Sequence, residues 1–177
     1  MKQYVKWAGL LLPAFSVLTI IILLFLPLFP PSLLVVSQGK VLGEYPVQAD
    51  NFEVQFRHSV NKGLIREVYK IDAERLTITL DKGYFESYGA GMIDTVPPEV
   101  TFSSDEQFVI LDFADHYRHQ IDYTAGIVSQ HMFYYEDKSL VLYKLAPRKP
   151  VAITVRKASA VQRLLGLCQQ LINQRKG

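Results

Sequence analysis

From Trp7 to Gly39 the chain carries no charged residue. The first part, Trp7 to about Leu26, reads WAGLLLPAFSVLTIIILLFL and is apolar almost throughout. At a rise of about 1.5 Å per residue, about 20 such residues match a hydrocarbon core of roughly 30 Å. Few soluble folds can bury an element of this kind, so the run predicts a transmembrane helix. Pro13 falls early enough to start or kink it, and Pro27, Pro30 and Pro31 end it. Tyr4 and Trp7 sit where interfacial aromatic residues belong. Lys2 and Lys6 precede the run and no cation follows until Lys40, which orients the N-terminus toward the cytoplasm. A cleaved signal peptide is the competing reading. Its apolar region is about 7–15 residues long and ends at a small-residue site; this run is longer and no A-x-A follows it. Either reading exports the rest of the chain.

The remaining length suffices for one domain with one core. Cys168 is the single cysteine, which excludes a disulfide framework and a cysteine-based zinc cluster. Charge is unevenly distributed. Residues 37–137 hold eight Lys or Arg and all seventeen Asp and Glu, a net of −9. Residues 138–177 hold nine Lys or Arg and no acid. An acidic body argues against nucleic acid as partner. A basic end suits an anionic membrane surface, an acidic partner, or compensation of the acidic body inside one fold.

Residues 27–32, PLFPPS, read as a stiff stalk. Beyond it the pattern turns to period two. Phe52, Val54, Phe56 and His58 share one face of a strand and Glu53, Gln55 and Arg57 the other. Asn61-Lys62-Gly63 marks a turn, and further strands are expected at Leu64–Ile71, Arg75–Asp81, Gln107–Phe113, Ile127–Tyr135, Leu140–Leu145 and Val151–Arg156. About seven to nine short strands with frequent turns predict an all-β exported domain, an antiparallel sandwich or a barrel-like sheet. At the end Val161, Leu164, Leu165, Cys168, Leu171 and Ile172 line one face of a short amphipathic helix from about Ser159 to Gln174. It is too short to span a bilayer. It has three possible uses: capping the sheet, lying on the membrane, or docking on a partner. The expected organisation is an anchor and stalk over 1–32, an exported β-domain over 33–157 and a basic helix over 158–177.

Four groups of residues invite a chemical reading. His58 and Ser59 lie one turn from Glu67, and pairing of the two strands would bring Glu67 close to His58, either as a proton-handling pair or as a satisfied core histidine. Ser87 precedes Tyr88-Gly89-Ala90-Gly91-Met92, where two glycines allow close backbone approach to an anion or simply a tight turn. No lysine or helix signal makes it a nucleotide loop. Asp112, Asp115, His116, His119 and Asp122 suggest a metal, but strand-like surroundings send i and i+3 to opposite faces, so a solvated loop is expected. His131 lies in the strand expected at 127–135 and would complete a site with His58 only if the fold brought them together. A hydrolase built on Ser59 or Ser87 lacks a G-x-S-x-G elbow, and the chain is not expected to be an enzyme.

The order Phe56-Arg57-His58-Ser59-Val60-Asn61-Lys62, Glu67-Val68-Tyr69, Ser87-Tyr88-Gly89-Ala90-Gly91-Met92 and Gln130-His131-Met132 resembles a small bacterial family, the domain of unknown function 1850. The resemblance covers about Val35 to Lys157. Its marks fall on His58, Ser59, Glu67, Ser87, Gly89, Ala90, Gly91 and His131, which become the candidate ligand or partner contacts. Members are typically exported or membrane-anchored and often encoded beside TRAP transporters of the TAXI type. The resemblance thus implies an accessory protein of tripartite, ATP-independent solute uptake, contacting the permease, the solute-binding protein or both. It implies no reaction, cofactor or metal. The alternative is an exported domain that binds an anionic small molecule between His58 and the Gly89–Gly91 loop.

Overall fold

The structure, a computed structural model, describes residues 15–86, 100–113 and 117–174. It opens with helix α1, described over residues 15–25. Strands β1 (Pro31–Ser37), β2 (Lys40–Pro46), β3 (Asn51–Arg57), β4 (Leu64–Asp72) and β5 (Thr77–Phe85) follow. Next come β6 (Thr101–Ser104), β7 (Val109–Asp112), β8 (Gln120–Thr124), β9 (Met132–Tyr135) and β10 (Lys138–Leu140). The one-turn helix α2 (Leu142–Leu145), strand β11 (Pro150–Lys157) and helix α3 (Ala160–Gln174) complete the chain.

The strands form two antiparallel sheets, β2-β1-β11-β8 and β10-β9-β3-β4-β5-β7-β6. Among the described residues each sheet keeps two edge strands, so the domain is an open sandwich rather than a closed barrel. Leu33, Val35, Val151, Ile153 and Ile121 from the first sheet meet Phe52, Val54, Ile71, Ile78 and Phe133 from the second. Alternation drives this: Glu53, Gln55 and Arg66 point away from the core, where Arg66 forks onto Glu53 at 3.0 and 2.8 Å. The crossing from β2 to β3 is pinned by the buried hydroxyl of Tyr135, which accepts from the Gln48 and Ala49 amides at 2.8 and 3.0 Å.

Four expectations need correction. The stalk ends sooner than residue 32, because Pro31 already opens β1. Strands β1 and β2 form an additional hairpin, closed by Gln38 and Gly39 at φ 50° and 76°. Such positive values match a two-residue turn of the type that follows strand twist. Residues 127–130 are a turn rather than strand, with Gln130 at φ 52° donating to the Gly126 carbonyl at 2.9 Å. Leu140–Leu145 is not one strand: Leu142 and Ala146 lie on one side of a helical turn, both buried, and the Ala146 amide donates to the Leu142 carbonyl at 2.8 Å.

The terminal helix lies where the sequence puts it. Ser159 and Gln162 close a reciprocal cap: the Gln162 amide donates to Ser159 Oγ at 3.3 Å and the Ser159 amide to Gln162 Oε1 at 3.0 Å. At the other end of the chain, α1 is exposed along its described length, with Phe15 at 73% and Phe25 at 65%. Among the described residues no helix is long and apolar enough to cross a membrane. Residues 7–14, the first part of the apolar run, lie outside the described residues.

Candidate functional site

One polar cluster sits inside the sandwich. Antiparallel pairing sets Val54 opposite Glu67 on β3 and β4. Val54 is buried in the core, so Glu67 also turns inward, as does Tyr69 two residues on. A bulge between Val68 and Tyr69 in the pairing with β5 separates them. From the facing sheet, Tyr123 on β8 also turns inward, paired with Val151 of β11. The Tyr69 hydroxyl donates to Glu67 Oε2 at 2.9 Å and lies 2.6 Å from the Tyr123 hydroxyl. The Tyr123 hydroxyl also donates to Glu67 Oε2. Burial, then the adjacent Glu67 carboxylate, pushes both phenols well above the ordinary tyrosine range, so both stay protonated as donors. Three oxygens thus share two phenolic protons across the gap between the sheets.

His131 borders this cluster. Its ring stacks on Phe56 at 4.7 Å between centroids and 9° between planes, and lies 5.8 Å from the Tyr123 ring. Its Nδ1 accepts from the Gly126 amide at 3.3 Å, which assigns the other ring nitrogen the proton in the neutral form. Burial holds its pKa below the usual histidine value, against the weaker pull of the Gly126 hydrogen bond. Glu67 and His131, two of the residues singled out from the sequence, therefore meet around Tyr123 and Phe56.

His58 does not join them. With Val54 opposite Glu67 and the His58 amide donating to the Gly63 carbonyl at 2.9 Å, His58 lies four residues, about 13 Å, along the ladder from Glu67's partner. The expected His58–Glu67 pair is corrected accordingly. The His58 Nδ1 instead accepts the Val60 and Asn61 amides at 3.3 and 3.4 Å, capping its own turn. Ser59 lies in the same turn, its carbonyl accepting from Lys62 Nζ at 2.5 Å. Beside the turn, Phe56, Arg57, Gln130 and Tyr143 border a shallow depression of about 250 Å³. Ser87, Gly89, Ala90 and Gly91 lie outside the described residues. So do Asp115 and His116; His119 is exposed, with Nδ1 3.4 Å from the Leu76 carbonyl. Among the described residues no three His, Cys, Asp or Glu side chains gather as metal ligands.

Tyr69 and Tyr123 are the members of this cluster that sequence reasoning did not single out as site residues; the meeting point, Tyr123, lies 56 residues along the chain from Glu67. The signal for Tyr123 was present in Gln120-Ile121-Asp122-Tyr123, where Ile121 and Tyr123 alternate with polar residues.

The fold and cluster define a class: an antiparallel two-sheet sandwich whose sheets are clasped by a carboxylate and two phenols. The family described as a domain of unknown function, DUF1850, matches residues 52–142, just over half the chain, and the chain belongs to that family. The match runs from β3 to the start of α2 and contains every residue of the Glu67–Tyr69–Tyr123–His131 cluster. The β1–β2 hairpin, β11 and both longer helices fall outside it. No curated protein and no solved structure matches the chain.

Proposed function

We propose that this chain is a membrane-anchored accessory protein of a TAXI-type TRAP solute transporter. Its N-terminus lies in the cytoplasm. Its sandwich lies outside and contacts the permease, the solute-binding protein or both. One observation carries this reading: among the described residues, most of the large apolar side chains left uncovered lie on α1, on the segment that follows it and on α3. Every described residue of α1 is exposed, and Val17, Ile20, Ile21 and Leu24 are among the bare side chains. A helix that is apolar all round needs a lipid or protein environment. The sandwich interior, by contrast, is filled, with Leu33, Val35, Val54 and Phe133 fully buried. The clasp also argues for a structural interior, since a carboxylate already facing the gap disfavours an anionic solute there.

The test is to tag the chain, extract native membranes in mild detergent and identify what co-purifies. A TRAP permease or its solute-binding protein in near-equal amount is the expected result. Recovery of the chain alone would overturn the accessory reading. Release of the chain from membranes by alkaline carbonate would overturn the anchor.

A further inference from the structure

Helix α3 meets the sandwich with the wrong face for an ordinary amphipathic helix. Ser159, Arg163 and Gly166 lie toward the first sheet: Ser159 and Gly166 are buried, and a Cβ at Gly166 would run into the Glu44 carboxylate of β2. The apolar stripe faces out. Leu164, Leu165, Leu167, Leu171 and Ile172 are all more than half exposed, and Cys168 among them is exposed. At 100° per residue these six positions span an arc of about 160°. Burial in the sandwich therefore does not account for the stripe.

Two observations indicate what covers it. The first is position. Arg163 Nη2 donates to the Pro30 carbonyl at 2.7 Å and to Ser32 Oγ at 3.1 Å, and its guanidinium lies 4.9 Å from the centre of the Phe29 ring. One side chain thus ties the second turn of α3 to the residues that link α1 to β1. Leu26, Leu28 and Phe29, just before that point, are exposed as well. The second is charge. Within α3 the single charge is Arg163, turned toward the sandwich, so the outward arc carries no acid to repel an anionic lipid surface, and the nine cations of residues 138–177, Arg175 and Lys176 directly after the helix among them, come with no acid at all.

We propose that α3 lies flat on the membrane beside the exit of α1, with its apolar arc in the interface of an anionic bilayer. It forms a second contact that fixes the sandwich against the surface. This rests on the reading of α1 as an anchor. At 15 residues α3 is about 22 Å long, too short to span but sufficient to lie in the plane.

The test uses the full chain in vesicles of phosphatidylcholine and phosphatidylglycerol. Cys168, the only cysteine, carries an environment-sensitive fluorophore. A second preparation, Cys168→Ser with Ile21→Cys, carries the same label in α1. The expected result is blue-shifted emission at both positions, with quenching by spin-labelled lipid several-fold stronger than by aqueous iodide. Leu164→Asp with Leu171→Asp should return the Cys168 label to its aqueous spectrum. An aqueous Cys168 label beside a lipid-buried residue 21 label would overturn the proposal and leave the anchor standing. Aqueous labels at both positions would overturn the anchor and the proposal together. Shielding of Cys168 only after a permease or solute-binding protein is added would assign the face to a protein partner and overturn the lipid assignment.

Discussion

The clasp between the sheets yields a quantitative prediction. Tyr123→Phe removes one hydroxyl and keeps the ring that packs 6.2 Å from Phe56. The triangle of Glu67, Tyr69 and Tyr123 has three oxygen–oxygen contacts but only two phenolic protons, hence two hydrogen bonds. Losing Tyr123 loses one of them. The Tyr69 hydroxyl, 2.9 Å from Oε2, stays in place as donor. A hydrogen bond to a charged partner contributes about 1.5–3 kcal/mol, and the remaining donor places the single substitution at the low end, about 1.5–2 kcal/mol. Tyr69→Phe removes the symmetrical bond and costs about the same. The double variant differs in kind. It leaves the half-buried carboxylate without either phenol, so the cost exceeds the sum of the singles by about 1 kcal/mol.

Equilibrium urea unfolding of the chain in micelles, followed by near-ultraviolet circular dichroism, measures all four corners of this cycle. The signal stays readable at every corner because the eight other tyrosines are kept, and the buried Tyr135 among them leaves a fixed environment on unfolding. Singles that cost less than about 0.5 kcal/mol, or a double that equals their sum, would show that the phenols do not hold the carboxylate.

Three further outcomes rest on the same geometry. Burial lowers the His131 pKa, so below about pH 6.5 the unfolded chain binds more protons than the folded one. Its contribution to stability is full above that pH and declines as pH falls toward the folded value, by at most about 1.4 kcal/mol per pH unit, and unfolding of His131→Phe from pH 7 to 5 should lack this slope. Arg163→Ala removes the bonds to Pro30 and Ser32 and one of the two cations facing Glu44, so hydrogen exchange of α3 should quicken by about tenfold or more while β3 and β4 are unaffected; uniform loss of protection would refute a local role. His58→Ala should cost less than about 1 kcal/mol, since its acceptor role is confined to an exposed turn, and a measured loss above 2 kcal/mol would require a partner beyond that turn.

What the sequence disclosed depended on whether the signal was local. Strands β3 and β4 and helix α3 were legible because one face of each is apolar and the other polar over consecutive residues. The β1 strand was not, because its four central residues from Ser32 to Val35 are all buried. A strand covered on both faces loses its alternation, and here it also abuts the apolar run and its prolines. The site divided the same way. Glu67 and His131 stood out by residue type, whereas their meeting point, Tyr123, is 56 residues from Glu67 and belongs to the other sheet. The misplaced His58–Glu67 pair came from counting through the turn without its register: closure at His58 and Gly63 fixes Glu67 opposite Val54.

The outward stripe of α3 has a physical cause in the sheet beneath it. Arg156, Ser32 and Glu44 project from neighbouring strands of the first sheet on the side away from the core, as the pairing of Ser32 with Arg156 and of Leu34 with Glu44 requires. Glu44 loses hydration there, which raises its carboxyl above the usual range, while Arg156 and Arg163 pull it back. A leucine face laid over this row would bury a carboxylate against hydrocarbon and remove one of its two compensating cations, Arg163. The opposite face supplies Arg163 to the charge, and Gly166 lets the helix backbone approach Glu44 where any Cβ would collide. The ionic row therefore selects the polar face of α3, and the leucines are left outward by that selection. The apolar face displaced in this way is set, by the contact of Arg163 with Phe29 and Pro30, beside the point where α1 joins the sandwich, which is where the proposed second membrane contact would form.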